Sequence, residues 1–307
     1  MFSGGHGRIS RWPICEVLLM GALFVAVITV GRMGLLLAID SETGDMLSLS
    51  YRGEEILRSG PGEVSLDFLV NHKWPRRGHV SRLASWHWDE REGILTIRRR
   101  IGDWEAEEVY KFWAEKPRIE RLLRLKFLGQ GEQKIRRVLM GWPGVDISWA
   151  KGVCWVPRGP GLRAKFSELQ KLGGGYVIMQ IAPHLSLLFT NEPRREPTWI
   201  VVERGRGRRA KICQVFEALG FVYPWETHEI GPCYLTVVEG DAKRALEAIW
   251  EWFLDVGLKV PEDRPGWVYN SVLYSFHPGG TIGSNCLDLG ASMRQGANFC
   301  PSSTGLG

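Results

Sequence analysis

From Leu35 onward short apolar runs alternate with polar, glycine-containing breaks, a pattern that predicts strands. "LLLAIDSETGDMLSLSYRGEEIL" divides into two apolar runs joined by "DSETGD", a break of hairpin length, with a second turn at Arg52 and Gly53. Further strands are expected at 64–70, 79–88, 94–101, 105–113, 119–127 and 134–141. In "TIRRRI" and "RIERLLRLKF" apolar and charged residues roughly alternate, which sets one face on a core and the other in water, as in an antiparallel sheet. Residues 152–238 continue in the same style with "GYVIMQIAP", "LSLLFT", "TWIVVE" and "CYLTVVEG". So many strands predict a mainly β fold, a large antiparallel β-sandwich.

The period changes at Gly240. "EGDAKRALEAIWEWFLDVGL" offers Asp241 as an N-cap, apolar residues at Ala245, Ile249, Trp252, Phe253 and Val256, and Gly257 as the stop of a single late helix. "KVPEDRPGW" then reads as a linker, placing a domain boundary near residue 260.

Composition changes this picture in a few places. The chain has 307 residues, 44% apolar and 24% charged, enough for two domains with real cores. Its 14 Trp exceed the roughly four expected for this length. Such rings fill wide sheet-to-sheet cores, or stack on sugars. Trp86 and Trp88 in "SWHWDE" stand two apart and share a strand face, which makes them candidates for sugar stacking if that face is open, and core residues if it is not. The net charge of +5 is mild and its signs are mixed, so no nucleic-acid partner is expected, and "ERGRGRRAK" reads as a solvated loop. The Cys residues show neither CxxC nor metal spacing, so no metal and no cofactor are expected. Cys213 and Cys233 flank one segment and would pair only in an oxidising compartment; scattered reduced thiols are the preferred reading. The uncharged run 17–31 behind Arg8 and Arg11 has the layout of a signal peptide or short anchor, against which stand a buried strand pair or a non-native leader. A cytoplasmic placement weighs slightly above export, and a membrane role is confined to that leader.

"WVYNSVLYSFHPGGTIGSNCLDLG", 267–290, resembles the first strand and following loop of the catalytic barrel of α-amylase-type glycoside hydrolases. "LAIDSETGDMLSLSYRGEEIL" resembles the opening hairpins of the galactose-mutarotase-like supersandwich that precedes the barrel in several sugar-processing enzymes. The resemblance implies a carbohydrate partner and hydrolysis of α-linked glycans. It places Tyr274 on the first barrel strand and His277 at its end, where a sugar would lie, although His277 bonded to its own loop is an equal alternative. Asp288 reads as the N-cap of the first barrel helix.

After that point the family pattern stops. "ASMRQGANFCPSSTGLG" has neither helical period nor strand, the expectation for a truncated or frame-shifted barrel. The paired carboxyl groups of glycoside hydrolysis lie on later barrel strands, so no catalytic residue is assigned and the chain is expected to be inactive. Glu105 and Glu107 read as one solvated row. The expected organisation is a leader or anchor over 1–32, the sandwich over 33–239, helix and linker over 240–266, and an incomplete C-terminal β/α barrel segment over 267–307. A free-standing, non-catalytic carbohydrate-binding sandwich is the alternative. Oligomeric state is not legible.

Overall fold

A computed structural model describes residues 26–147, 154–155, 163–164, 170–172, 176–192, 198–204 and 209–257. The strands in chain order are β1 (Val27–Arg32), β2 (Leu35–Asp40), β3 (Met46–Tyr51), β4 (Glu54–Arg58), β5 (Leu66–Val70), β6 (Arg82–Asp89), β7 (Ile94–Ile101), β8 (Trp104–Phe112) and β9 (Arg118–Phe127). They continue as β10 (Gln133–Asp146), β11 (Cys154–Trp155), β12 (Arg163–Ala164), β13 (Gln170–Leu172), β14 (Tyr176–Ala182), β15 (Leu185–Asn191), β16 (Thr198–Arg204), β17 (Arg209–Val222) and β18 (Thr227–Glu239). One helix, α1 (Ala242–Asp255), follows. The chain forms two compact units divided between Trp250 and Glu251, within this helix.

The strands make two antiparallel sheets. One runs β1-β2-β3-β4-β10-β17-β16-β13 with β5 on β10; the other runs β12-β11-β14-β15-β18-β9-β8-β7-β6. The mainly β sandwich expected from alternation is therefore the observed fold. Hairpins account for most neighbours, while the long β10 organises the first sheet. One edge pairs with β17 along its length, and the other is shared by β5, over Ile135 to Met140, and β4 at Val145.

Residues 27–32, read from sequence as part of a leader, belong to the sheet: β1 pairs with β2 from Val27↔Asp40 to Arg32↔Leu35, with Ile28 and Val30 buried. The alternation in "VITVGR" carries that strand. Residues 1–25 and the proposed barrel start, with Tyr274, His277 and Asp288, lie outside the described residues. Cys213 and Cys233 are free and buried, one on β17 and one on β18 in opposite sheets, and burial pushes each thiol up to about 12. The helix starts as expected: Asp241 Oδ1 accepts from the N–H groups of Lys243 at 3.1 Å and Arg244 at 3.0 Å. Gly257, at φ 83°, stands just past the helix, its N–H on the Leu254 carbonyl at 3.0 Å.

Between the sheets lie two apolar clusters. The larger gathers residues such as Leu37, Ile97, Trp142, Phe189 and Leu235; the smaller gathers Phe68, Trp104, Leu123, Ile135 and Phe216. Inward positions on β7, β8, β9 and β17 pass from one cluster to the other, and at each crossing a polar residue intervenes: Arg99, Glu108, Arg121 and Gln214.

Candidate functional site

The residues between the clusters form a buried, charged belt. Arg99, on β7, donates through Nη1 to Asp45 Oδ1 at 2.8 Å and through Nη2 to Glu108 Oε1. Glu108 Oε2 accepts from Arg121 Nε at 2.9 Å, from Arg121 Nη2, and from the Tyr110 hydroxyl at 3.0 Å. Arg121 also crosses between the sheets, donating to the carbonyls of Gly141 at 2.9 Å and Ser65 at 2.8 Å. Asp45 is held further by Arg76 at 2.5 Å and by the backbone N–H and hydroxyl of Ser65 at 3.2 and 3.1 Å. Beside it Trp142 Nε1 donates to Gln214 Oε1 at 2.6 Å, and the Gln214 amide donates to the carbonyls of Thr190 and Tyr234 in the opposite sheet at 2.7 and 3.3 Å.

Burial alone would raise the pKa of Glu108, but Arg99 and Arg121 outweigh it and hold the carboxyl below its ordinary value. Asp45 follows the same balance, burial raising it and Arg99 and Arg76 bringing it below. Both carboxyl groups therefore stay ionised near neutrality, and neither is set up as a proton donor. Losing one partner would leave a buried charge undercompensated, so the belt is costly to break.

The sequence reading put charged positions of these strands in water. For the neighbours that is right: Arg98 and Arg124 meet Glu107 on the outer face at 2.6 and 2.9 Å. It is wrong for Arg99 and Arg121, which are wholly buried, as is Glu108 on the face of β8 opposite the expected Glu105–Glu107 row. Parity held the signal. Ile97-Arg99-Ile101, Ala106-Glu108-Tyr110 and Ile119-Arg121-Leu123 each put one charge between inward apolar residues. Asp45, which ends the "DSETGD" turn, is also buried against these arginines.

A cleft of about 250 Å³ opens at one end of the sandwich, where β8 begins and β10 begins. Trp104 is part of its wall, packed between Phe68 and Phe127 at ring separations of 5.4 and 4.9 Å, and Lys73, His79, Asp103 and Gln133 supply polar groups. Asn71 ties the rim together, donating to Gln133 Oε1 at 2.7 Å and accepting from the Lys134 N–H at 2.9 Å. His79 lies over Gly102, where a Cβ would come within 2.9 Å of the ring. No sequence motif marks this cleft, because its residues come from separate strand ends. Among the described residues, no three His, Cys, Asp or Glu side chains gather as metal ligands would.

Of the sequence candidates, Trp86 and Trp88 are described. They lie on β6 at the edge of its sheet, opposite Ile97 and Leu95 of β7, and so share the inward face. Trp88 packs edge-on against Phe112 at 5.6 Å and joins the margin of the larger cluster, whereas Trp86 remains 49% exposed. A bulge between Leu83 and Ser85 sets this register, placing Leu83 on the core side as well.

No protein-family model matches the sequence, and no curated protein matches it either. Solved structures do. The chain is similar to the α-N-acetylgalactosaminidase NagBb from Bifidobacterium bifidum in complex with GalNAc, at 12% identity and a TM-score of 0.54, over 75% of this chain and 39% of that one. It is also similar to the GH36 α-galactosidase AgaA from Geobacillus stearothermophilus in complex with raffinose, at 8% identity and a TM-score of 0.51, over 71% of this chain and 41% of that one. The chain thus spans about two fifths of the length of these enzymes, the aligned shares being 39% and 41%. At such identities the likeness is one of fold: the sandwich resembles in fold those found in these glycoside hydrolase structures. It gives no support to the α-amylase type.

Proposed function

We propose that this sandwich is a module of a carbohydrate-active enzyme directed at α-linked galactosides or N-acetylgalactosaminides, and that the module frames the reacting part without itself cleaving the glycosidic bond. The observation that carries this reading is the overlay of 75% of the chain on NagBb. The arginine belt supports the non-reacting role, since hydrolysis needs a carboxyl group that holds a proton beside one that does not, and burial against arginines keeps Asp45 and Glu108 both ionised. In this reading Tyr274 and His277, which lie outside the described residues, are the candidates for contact with the sugar.

The test is incubation of the purified chain with nitrophenyl α-N-acetylgalactosaminide, α-galactoside and α-glucoside, with affinity matrices bearing the same sugars. No nitrophenol release and a preference for the galacto-configured matrices are expected. Release that co-elutes with the protein overturns the framing role; preference for α-glucans overturns the substrate class and restores the α-amylase reading. A second reading, a non-catalytic carbohydrate-binding sandwich, draws on Trp86, half-exposed beside Trp88. It predicts that retention on the matrix falls in Trp86→Ala.

A further inference from the structure

One wall of the cleft at the end of the sandwich is the connection from β5 to β6, residues 71–81, which places Lys73, Pro75 and His79 along it. The rest of the fold holds this connection at three points. The Asn71 N–H donates to the Lys134 carbonyl at the start of β10 at 3.0 Å, Arg76 reaches Asp45 of the buried belt, and the Ser81 hydroxyl donates to the Thr43 carbonyl at 2.6 Å. Asn71 and His72 sit at φ 46° and 75° in a tight turn, closed by Val70 and Lys73, whose main chains bond each other at 2.8 and 2.7 Å. Glycine is the ordinary second residue of such a turn, so His72 holds a strained backbone where the chain brings Lys73 back over the cleft.

Across from this wall stand Asp103, in the turn between β7 and β8, and Gln133, the first residue of β10. Asn71 fixes how Gln133 is turned. Its Oδ1 accepts from the Lys134 N–H, so its own amide group donates to Gln133 Oε1, and the Gln133 amide group is left as a donor with no partner among the described residues. The side chains of Lys73, His79 and Asp103 likewise make no hydrogen bond or ion pair among the described residues. Lys73 and Asp103 thus line one cleft of about 250 Å³ without closing on each other. Beneath them Val70, Ile101 and Trp104, none more than 5% exposed, make an apolar floor.

This arrangement selects among ligands by charge. An anion such as phosphate gains Lys73 and meets Asp103, while a cation gains Asp103 and meets Lys73, so each is opposed by one of the two. A neutral polyhydroxylated molecule suits both, because a hydroxyl donates to a carboxylate as readily as it accepts from an ammonium or an amide, and its C–H groups rest on the floor. The volume lies below the roughly 300–1,000 Å³ of sites for drug-sized ligands, which fits a single sugar ring.

We infer that this cleft binds a neutral monosaccharide, with Asp103 accepting from its hydroxyls and Lys73 and Gln133 donating to them. The ligand class rests on the carbohydrate reading above; the geometry of the cleft does not.

The test follows binding of galactose and N-acetylgalactosamine to the full chain by calorimetric titration and by the NMR signals of the Gln133 side-chain amide. Wild type is compared with Asp103→Ala and Lys73→Ala, exposed positions whose replacement should leave the melting temperature unchanged. Millimolar sugar is expected to shift the Gln133 signals in wild type, and affinity is expected to fall by about tenfold or more in each variant. Equal binding by wild type and both variants places the sugar elsewhere and overturns the site, while the module's proposed role stands. Absence of binding by wild type at millimolar sugar also overturns the site, and retention on the galacto-configured matrices then shows that the broader reading survives it. Inorganic phosphate and glycine, the latter a zwitterion able to satisfy both charges, are titrated in parallel. A larger shift of the Gln133 signals with either of them than with sugar overturns the ligand class.

Discussion

The guanidinium of Arg121, projecting from β9, donates to the main-chain carbonyl of Gly141 on β10 in the other sheet, across 2.9 Å. This contact, with the bond to Ser65 and the ion pair to Glu108, makes one side chain a tie between the two layers. Arg121→Met should therefore take from Glu108 one of its two arginines, leave two carbonyls unpaired, and cost about 3–5 kcal/mol. Arg124→Met, three residues along, removes ion pairs to Glu107 and Glu229 on a side chain that is 43% exposed, and should cost no more than about 1 kcal/mol. Urea unfolding of the two variants measures the contrast.

Acid should loosen the same belt. Glu108 and Asp45 have folded-state values below their ordinary 4.5 and 3.8, so their stabilisation is complete above those values and is lost as pH falls through the lowered ones. The urea midpoint is expected to hold steady from neutrality to about pH 5 and to fall below it. In Glu108→Gln the acid slope should be shallower, because one of the two linked protonations is gone.

Trp86 and Trp88 should separate in both stability and quenching. Trp88→Ala opens a gap against Phe112, with a cost toward the lower end of the roughly 3–5 kcal/mol seen for buried aromatics. Trp86→Ala should stay within about 0.5 kcal/mol, as at other exposed positions. Acrylamide quenching should lose an accessible component in Trp86→Ala and keep it in Trp88→Phe.

Gly144, at φ 71°, lies within the irregularity between Trp142 and Val145, where a Cβ would come 1.7 Å from the Arg58 carbonyl. That clash is with backbone, so it cannot be relieved by a rotamer change. Gly144→Ala should destabilise by more than about 3 kcal/mol, read by thermal unfolding.

Much of the sandwich was legible because alternation is a local signal: β7 runs over the expected 94–101, and β8 and β9 fall within one residue of their expected ranges at each end. Asp241 and Gly257 marked the helix ends for the same reason, since capping depends on the nearest few residues. The interior charges were missed because a strand of mixed composition looks solvated until parity is followed through it. Arg99 stands between Arg98 and Arg100, and only its neighbours two away, Ile97 and Ile101, reveal that it faces inward. The end-of-sandwich cleft was illegible for another reason. Asn71, Trp104 and Gln133 come from the end of β5, the start of β8 and the start of β10, and their adjacency is a property of sheet pairing and packing.

Glu108 acts as a clamped structural carboxylate, and a carbon-detected NMR titration of its carboxyl group in the folded protein is the sharpest test. The carboxylate is expected to remain ionised at pH 4.5 and to take up its proton only below that value. A midpoint above 4.5, the behaviour of a general acid kept protonated for transfer, would contradict it.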